Sequence, residues 1–211
     1  MDARSRFLGQ FKLVVAPVLR EEGFLGSGNT YRRVLGDVVH VLHVQGSIYG
    51  GQCCVCLGIH LSFFPTMGGK ANPDLKKVTE PDCEYRARLR YPDAQDTWWQ
   101  YGENDNEALQ SAEDIKATYL NVGRSFFQRF SSFPEDFTRI TPDTFANRTT
   151  DNCPPSFSAI RGLLAQARIY NHLQRYDYTN QFAQLGLSEL KDSKATGLIS
   201  EFRQLAQRPN G

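Results

Sequence analysis

The residues best suited to chemistry in this sequence share one short segment. Cys54, Cys56 and His60 are evenly spaced, so on a β-strand they would lie on one face. Together with His40 or His43 from a neighbouring strand, they provide the sulfur and nitrogen ligands that zinc prefers. Alternate strand positions are about 6.5–7 Å apart, too far for two sulfurs on one zinc ion, and the C-x-x-C knuckle is missing. We therefore expect no metal or other cofactor, and we interpret the cysteines as small buried side chains beneath a helix.

The histidines suggest a second hypothesis, which is acid–base catalysis. His40 and His43 fall on opposite faces of their predicted strand, so only one of them can share a surface with His60. The sequence has no G-x-S-x-G nucleophile elbow, and residues 68–70 are only a fragment of a phosphate-binding loop. An enzyme therefore stays open as an alternative whose site is assembled from distant residues. Its candidate residues are His40, His60, Tyr85 and Arg86.

Basic and aromatic residues form the most distinctive surface candidates. Three arginines alternate along one predicted strand, a fourth lies on another, and two tryptophans follow in the chain. Arginine and tryptophan are enriched among the residues that dominate protein–protein binding energy. Two alternatives stay open: RNA binding by phosphate contacts and stacking, and a solvated edge strand with the tryptophans packed under helices. The predicted binding residues are Arg32, Arg86, Arg88, Arg90, Trp98 and Trp99.

Composition and charge narrow the classes of function. The 24 Lys+Arg residues nearly balance the 23 Asp+Glu residues, and a net charge of +1 argues against a nucleic-acid partner. All apolar runs are far shorter than the roughly 18 residues that cross a bilayer, and no secretory signal is visible. We therefore expect a cytoplasmic protein that does not bind membranes, with its five cysteines, an odd number, in the reduced state.

Hydrophobic periodicity predicts an α+β fold. Apolar spacing from Phe7 indicates a helix that Pro17 kinks and Gly23 ends. A second long helix is predicted over residues 106–132, where it would cover the apolar face of a four-stranded, mostly antiparallel sheet. The predicted strands are 30–35, 38–45, 53–64 and 83–90.

Two of these strands carry an alternation that assigns their faces. In 53–64, large apolar residues alternate with smaller and more polar ones, which is typical of a half-buried strand. In 83–90, Cys83 and Tyr85 are predicted to point inward, whereas Glu84 and the arginines are predicted to point outward.

Three regions follow from these elements. Residues 1–133 form the predicted α+β domain, and residues 134–157 are rich in proline and polar residues, as irregular connectors are. Residues 158–211 carry the spacing of two or three short helices, which predicts a helical appendage. The sequence leaves the oligomeric state open.

A series of short motifs also runs along the chain. They are G-F at 23–24, G-N-T-Y-R-R at 28–33, V-Q-G-S at 44–47, L-G-I at 57–59, C-E-Y-R-A-R-L at 83–89 and D-T-W-W at 96–99. In this order, roughly over residues 7–133, they resemble the bacterial domain-of-unknown-function family 4304. This sequence departs from the family at Cys56, where the family usually has Asn. The resemblance implies no chemistry. The C-terminal helices are similar to a single tetratricopeptide-type helix pair, with Gln174 where that repeat favours Gly.

We therefore expect a non-enzymatic protein that binds another protein. Because small α+β proteins of uncharacterised families often serve as immunity proteins, the resemblance suggests a protein that neutralises a cognate bacterial toxin by direct binding. Basic residues gather in 30–33 and 83–90 and acidic residues in 93–114, which predicts a polar surface suited to one specific partner.

Overall fold

The structure is a computed structural model that describes residues 2–146, 158–191 and 193–207. It divides into two units, Met1–Ser131 and Ser132–Gly211. The helices are α1 (Ala3–Glu21), α2 (Asp105–Thr118), α3 (Arg124–Gln128), α4 (Glu135–Thr138), α5 (Pro142–Ala146), α6 (Ala159–His172), α7 (Tyr176–Glu189) and α8 (Thr196–Ala206). The strands are β1 (Leu25–Ser27), β2 (Thr30–Leu35), β3 (Val38–Gly46), β4 (Gln52–Leu61), β5 (Tyr85–Arg88) and β6 (Trp99–Gln100).

The six strands form one antiparallel sheet in the order β1-β2-β3-β4-β5, with β6 also paired to β4. Because β3 occupies one edge of β4, β5 and β6 follow each other along the opposite edge. The predicted α+β class is confirmed, with two more strands than expected. The additional strands, β1 and β6, have three and two residues, which is too short for an alternating pattern to reveal them.

Helix α1 begins and ends on local signals. The Asp2 carboxylate accepts a hydrogen bond from the Ser5 backbone N–H at 2.9 Å. At the other end Gly23 has φ +86°, and the N–H groups of Gly23 and Phe24 donate to carbonyl groups of the last turn. The predicted end of the helix at Gly23 is therefore confirmed, while Pro17 lies inside a helix that continues to Glu21.

One side of the sheet, the inner face, packs on helices. It carries Cys53, Val55, Leu57, Ile59 and Leu61 of β4, all of which are buried. Aromatic rings fill the layer between sheet and helices, with centroids 5.8 Å apart for Phe11 and Tyr31 and 5.2 Å apart for Phe24 and Phe127. This face is the core of the first unit.

The opposite side, the outer face, carries Cys54, Cys56, Gly58 and His60 of β4. The half-buried prediction for this strand is wrong, because residues 53–61 are buried on both faces. Over Gly58 and His60 the reason is the covering segment, residues 65–83, in which Leu75, Val78 and Cys83 pack with Val39 and Val41 of β3. Glu84, which was predicted to point outward, is also buried, at 3% exposure.

The second predicted helix is interrupted. Helix α2 is followed by a π-helical turn, Tyr119–Gly123, before α3 ends at Gln128, earlier than the predicted residue 132. At its start the Asn104 side chain accepts from the Glu107 N–H at 3.1 Å, and the Glu107 carboxylate accepts from the Glu103 N–H at 2.7 Å. These caps fix where the helix begins.

The second unit is helical in its described parts. Two short helices, α4 and α5, lie within the predicted connector, whose residues 147–157 are outside the described residues. Helices α6, α7 and α8 follow, and residues 192 and 208–211 are again outside the described residues. Arg168 on α6 and Glu201 on α8 form a bidentate ion pair at 2.6 and 3.0 Å. None of the described helices has the length and apolar character that crossing a membrane requires.

Candidate functional site: the open part of the outer face

Strand register arranges the outer face in rows that run across the sheet. One row joins Arg32 of β2, Val41 of β3, Gly58 of β4 and Arg86 of β5. The covering segment lies on this row, since a Cβ atom added at Gly58 would be only 2.7 Å from the Cys83 Sγ. This part of the outer face is therefore closed.

The two arginines of the closed row hold the covering segment in place. The Arg32 guanidinium donates to the backbone carbonyl of Val78. Arg86 forms an ion pair with Glu80 at 2.5 Å, and the Glu80 side chain is only 6% exposed. Two of the predicted binding residues are thus already engaged by the chain itself.

The neighbouring rows form what we call the open patch. One row joins Thr30, His43, Cys56 and Arg88, and the next joins Gln45 and Cys54. Trp99 pairs with Cys53, so the preceding residue, Trp98, lies beside Cys54 on the outer face. The open patch therefore comprises Thr30, His43, Gln45, Cys54, Cys56, Arg88 and Trp98.

Arg88 and Trp98 are joined through one carboxylate. Arg88 Nη1 lies 2.5 Å from Asp96 Oδ2, and the Trp98 indole N–H donates to the same oxygen at 3.0 Å. The Arg88 guanidinium carbon lies 5.1 Å from the Trp98 ring centroid, which is a cation–π contact. Trp98 is 36% exposed and the Arg88 side chain 39%. Sequence analysis named Asp96 only within the D-T-W-W motif and gave it no role, although an acidic residue two positions before Trp98 was a usable signal.

The other predicted binding residues lie elsewhere. Arg90 donates to the Ala94 carbonyl at 2.9 Å within the loop that connects β5 to Trp98. Trp99 is 3% exposed, and its indole N–H donates to Asp114 at 2.7 Å, so it lies in the interior and not on the open patch. Strand alternation explains why two consecutive tryptophans point to opposite sides of the sheet.

The thiols of the open patch lie close to each other. Cys54 Sγ and Cys56 Sγ are 4.0 Å apart, nearer than the strand spacing suggested. The Cys56 thiol also lies 3.3 Å from the Gln45 amide oxygen. The expectation that these two cysteines lie beneath a helix is wrong, because the helices cover the inner face, where Cys53 lies.

Electrostatics distinguish the two thiols. The hydrogen-bonding contact with Cys56, together with the nearby positive charge of Arg88, lowers the pKa of Cys54 despite its burial. The same hydrogen bond and burial raise the pKa of Cys56. On the inner face, burial raises the pKa of Cys53 to about 12. Full burial likewise raises the pKa of Cys83.

The four residues of the enzyme alternative do not share a surface. His40 and Tyr85 lie on the inner face, whereas His60 and Arg86 lie on the outer face. An Arg33 N–H donates to His40 Nδ1 at 3.0 Å, so His40 Nε2 carries the proton and donates to the Phe130 carbonyl at 2.7 Å. His60 Nδ1 donates to the Asp82 carbonyl at 3.1 Å. Both rings therefore bond to the backbone.

His43 is the histidine of the open patch. Its Nδ1 atom lies 2.9 Å from the Thr30 hydroxyl, and burial lowers its pKa. Among the described residues, no group of three or more His, Cys, Asp and Glu side chains is arranged to hold a metal ion.

A second surface lies at the end of the sheet where α1 begins. Clefts of about 460, 480 and 600 Å³ occur there, and Arg6 and Glu103 line two of them. In the adjacent β3–β4 turn, Ile48 and Tyr49 are each 91% exposed. Residues 48 and 49 were not among the predicted binding residues, although two large apolar residues among glycines were a visible signal.

Comparison with known proteins identifies one family. The model of a family described as "Domain of unknown function (DUF4304)" matches residues 15–129, a range that contains the whole open patch. No curated protein and no solved structure matches the chain. Bacterial origin and the similarity to a tetratricopeptide-type helix pair therefore stay predictions.

Proposed function

The chain belongs to the DUF4304 family, and because that description names no activity, we propose from the outer face itself that this protein binds another protein and is not an enzyme. The observation that carries the proposal is the cluster of Arg88, Asp96 and Trp98. Tryptophan and arginine are the residue types most enriched at binding hot spots. Here both are partly exposed and share one carboxylate.

The cluster is prepared for binding before a partner arrives. Ordering a long side chain at an interface costs about 0.5–1.5 kcal/mol. Asp96 already fixes Arg88 by an ion pair and Trp98 by an indole hydrogen bond, so part of this cost has been met in folding. A partner that covers Trp98 would bury its ring and exclude water from the adjacent ion pair.

Charge contributes less to this surface than the sequence suggested. Arg86 is paired with Glu80 and Arg88 with Asp96, so the basic stripe is largely offset within the chain. We therefore propose recognition by shape and stacking, with only modest dependence of affinity on salt.

A more specific form of the proposal is an immunity protein of the cytoplasm, which neutralises a cognate toxin by direct binding. Such a protein needs a pre-shaped polar and aromatic surface, and the open patch supports this reading. Cysteines of cytoplasmic proteins are usually reduced. The free thiols of Cys53, Cys54, Cys56 and Cys83 are compatible with that compartment.

The test begins with the product of the gene next to the one that encodes this chain. Co-purification tests whether this product binds the chain. Calorimetry then measures its affinity for the parent protein and for the Trp98→Ala variant. Truncation of a hot-spot tryptophan costs about 2 kcal/mol or more, so we expect affinity to fall by about thirtyfold or more. If that product is a toxin, co-expression of the parent protein should restore growth and co-expression of Trp98→Ala should not.

Leu13→Ala is the matched control, because Leu13 is an apolar residue of α1 with 70% exposure and lies away from the open patch. Equal affinity of Trp98→Ala and the parent for an identified partner would refute this surface. Arg86→Glu is unsuitable, because it would break the ion pair with Glu80 and release the covering segment.

A further inference from the structure

We propose that the β3–β4 turn is a self-association surface, through which two copies of this chain form a symmetric dimer. Two adjacent side chains of this turn, Ile48 and Tyr49, which we call the turn tip, are each 91% exposed. Single apolar residues at a surface are ordinary, but adjacent large ones that remain uncovered mark an interaction site. The turn tip is not part of the open patch, so the proposal does not depend on the proposed binding function.

The backbone of the turn holds the turn tip in one conformation. The Tyr49 N–H donates to Ser47 Oγ at 3.1 Å, and the Gly50 N–H donates to the Ser47 carbonyl at 3.1 Å. Gly50 and Gly51 have φ +77° and +71°, which other residues rarely adopt. These bonds and angles do not involve the two side chains of the turn tip. The fold therefore leaves them available to a partner on a backbone that is already ordered, which lowers the cost of binding.

The surface beside the turn tip is concave. The cleft of about 480 Å³ is lined by Arg4, Tyr101 and glycines of the turn, and the cleft of about 600 Å³ is lined by Arg6 and Glu107 among others. Gly51 borders both clefts. Arg4 is exposed, and an arginine in this position can form a cation–π contact with an inserted tyrosine ring. Each chain thus carries a projecting apolar pair and receiving clefts side by side.

This arrangement points to a second copy as the occupant. In a two-fold dimer one patch meets itself, so every projecting group needs a receiving group on the same patch. The turn tip cannot fill the clefts of its own chain while it is 91% exposed, but it can enter those of a copy. The clefts also carry both charge signs, with Arg4 and Arg6 near Glu103 and Glu107, so opposite charges can face each other across the axis. The same carboxylates disfavour an anionic membrane as the occupant.

The area available is sufficient for a weak dimer. A buried tyrosine covers about 150–250 Å² and a buried isoleucine about 60–120 Å². Two turn tips and the cleft walls that they cover would therefore remove about 800–1,500 Å² from water. Specific interfaces bury roughly 1,000 Å² or more, and those at the low end are transient. We therefore expect a dissociation constant in the micromolar range.

Sedimentation equilibrium of the full chain under reducing conditions tests the dimer, over concentrations from about 1 to 300 µM. We expect a monomer–dimer equilibrium in the parent protein. Tyr49→Ser should raise the dissociation constant at least about thirtyfold, because the substitution occurs twice in each dimer. Tyr49→Phe, which keeps the ring, should retain the dimer. Leu25→Ser is the matched control, because Leu25 is also apolar and 76% exposed but lies on β1, and it should leave the equilibrium unchanged.

A photo-cross-link tests where the turn tip lies. Benzoylphenylalanine in place of Tyr49 is irradiated in a mixture of ¹⁴N- and ¹⁵N-labelled chains, and the cross-linked peptides are identified by mass spectrometry. Peptides that join a light chain to a heavy chain come from two copies. We expect them to connect residue 49 with residues 2–6 or 100–107, which line the clefts.

Three results would overturn the proposal. They are a monomeric mass at every concentration, a dimer that Tyr49→Ser leaves intact, and cross-links that lie only within one chain. Sedimentation of a monomeric parent with phosphatidylcholine–phosphatidylserine vesicles, lost in Tyr49→Ser, would instead assign the turn tip to a lipid surface. The proposed binding function is tested separately by Trp98→Ala, so failure of one proposal is distinguishable from failure of the other.

Discussion

Replacing Gly58 with alanine measures how closely the covering segment packs on the outer face. An added Cβ would lie 2.7 Å from Cys83 Sγ and 2.9 Å from Cys83 Cβ, whereas carbon contacts are optimal near about 3.5–4.0 Å. Cys83 cannot retreat freely, because its N–H donates to the Glu80 carbonyl at 3.0 Å. The segment or the strand must therefore shift.

Two opposing contributions set the magnitude for Gly58→Ala. Overpacking a well-packed site costs about 1–3 kcal/mol. Alanine regains about 0.5–1 kcal/mol over glycine, because it loses less backbone entropy on folding. We therefore expect the free energy of unfolding to fall by about 0–2.5 kcal/mol.

Urea unfolding followed by tryptophan fluorescence is the appropriate assay. The chain has two tryptophans, Trp98 and Trp99, and both lie in the Met1–Ser131 unit, so the signal reports on that unit alone. Gly9→Ala is the control, because Gly9 lies in α1 with nothing within 4 Å of an added Cβ. This substitution should stabilise the unit by about 0.5–1 kcal/mol.

A double-mutant cycle separates the steric contact from other effects. Cys83→Gly removes the two atoms that would lie closer than 3.0 Å to the new methyl group, so the cost of Gly58→Ala should be smaller in that background, by about 0.5 kcal/mol or more. Increased stability of Gly58→Ala, or simple additivity with Cys83→Gly, would refute close packing of the covering segment on β4.

Three further predictions concern stability. Gln174 has φ +58°, so Gln174→Gly should stabilise the α6–α7 turn by about 0.5–1 kcal/mol, seen as slower amide exchange in both helices; no slowing would contradict this. Burial, and then a hydrogen bond from its hydroxyl to Glu22, raises the pKa of Tyr119. The raised pKa stabilises the folded state fully below about pH 10, and this stabilisation is lost as the pH rises above that value. Tyr119→Phe should therefore show a smaller decrease of the urea midpoint at alkaline pH than the parent protein. An equal decrease in both proteins would contradict this prediction. Asn104→Ala removes the N-cap side chain that accepts from the Glu107 N–H, so it should lower the free energy of unfolding in urea by about 1 kcal/mol. An unchanged free energy of unfolding would show that the cap is not formed.

Local patterns were sufficient for much of the fold. The strand 30–35 has the predicted bounds, and Gly23 ends α1 as predicted, because alternation and caps depend on neighbours in the chain. The π-helical turn at Tyr119–Gly123 was not predicted, since its apolar spacing is close to that of an ordinary helix.

The candidate site was predicted only in part. Arg88 and Trp98 were among the predicted binding residues, and the structure joins them through Asp96. Arg32 and Arg86 were grouped with them by residue type, but they bond to the covering segment, a relation between residues far apart in the chain.

The sequence by itself determined that β4 has two different faces, whereas the opposite directions of Trp98 and Trp99 follow from the pairing of β6 with β4. Only the tertiary structure decided what lies against each face: helices against Cys53 and Trp99, the covering segment against Gly58, and exposed side chains around Cys54 and Cys56. The physical reason is that periodicity depends on backbone geometry within one strand. Burial, ion pairing and thiol pKa values depend instead on which distant segments pack against that strand.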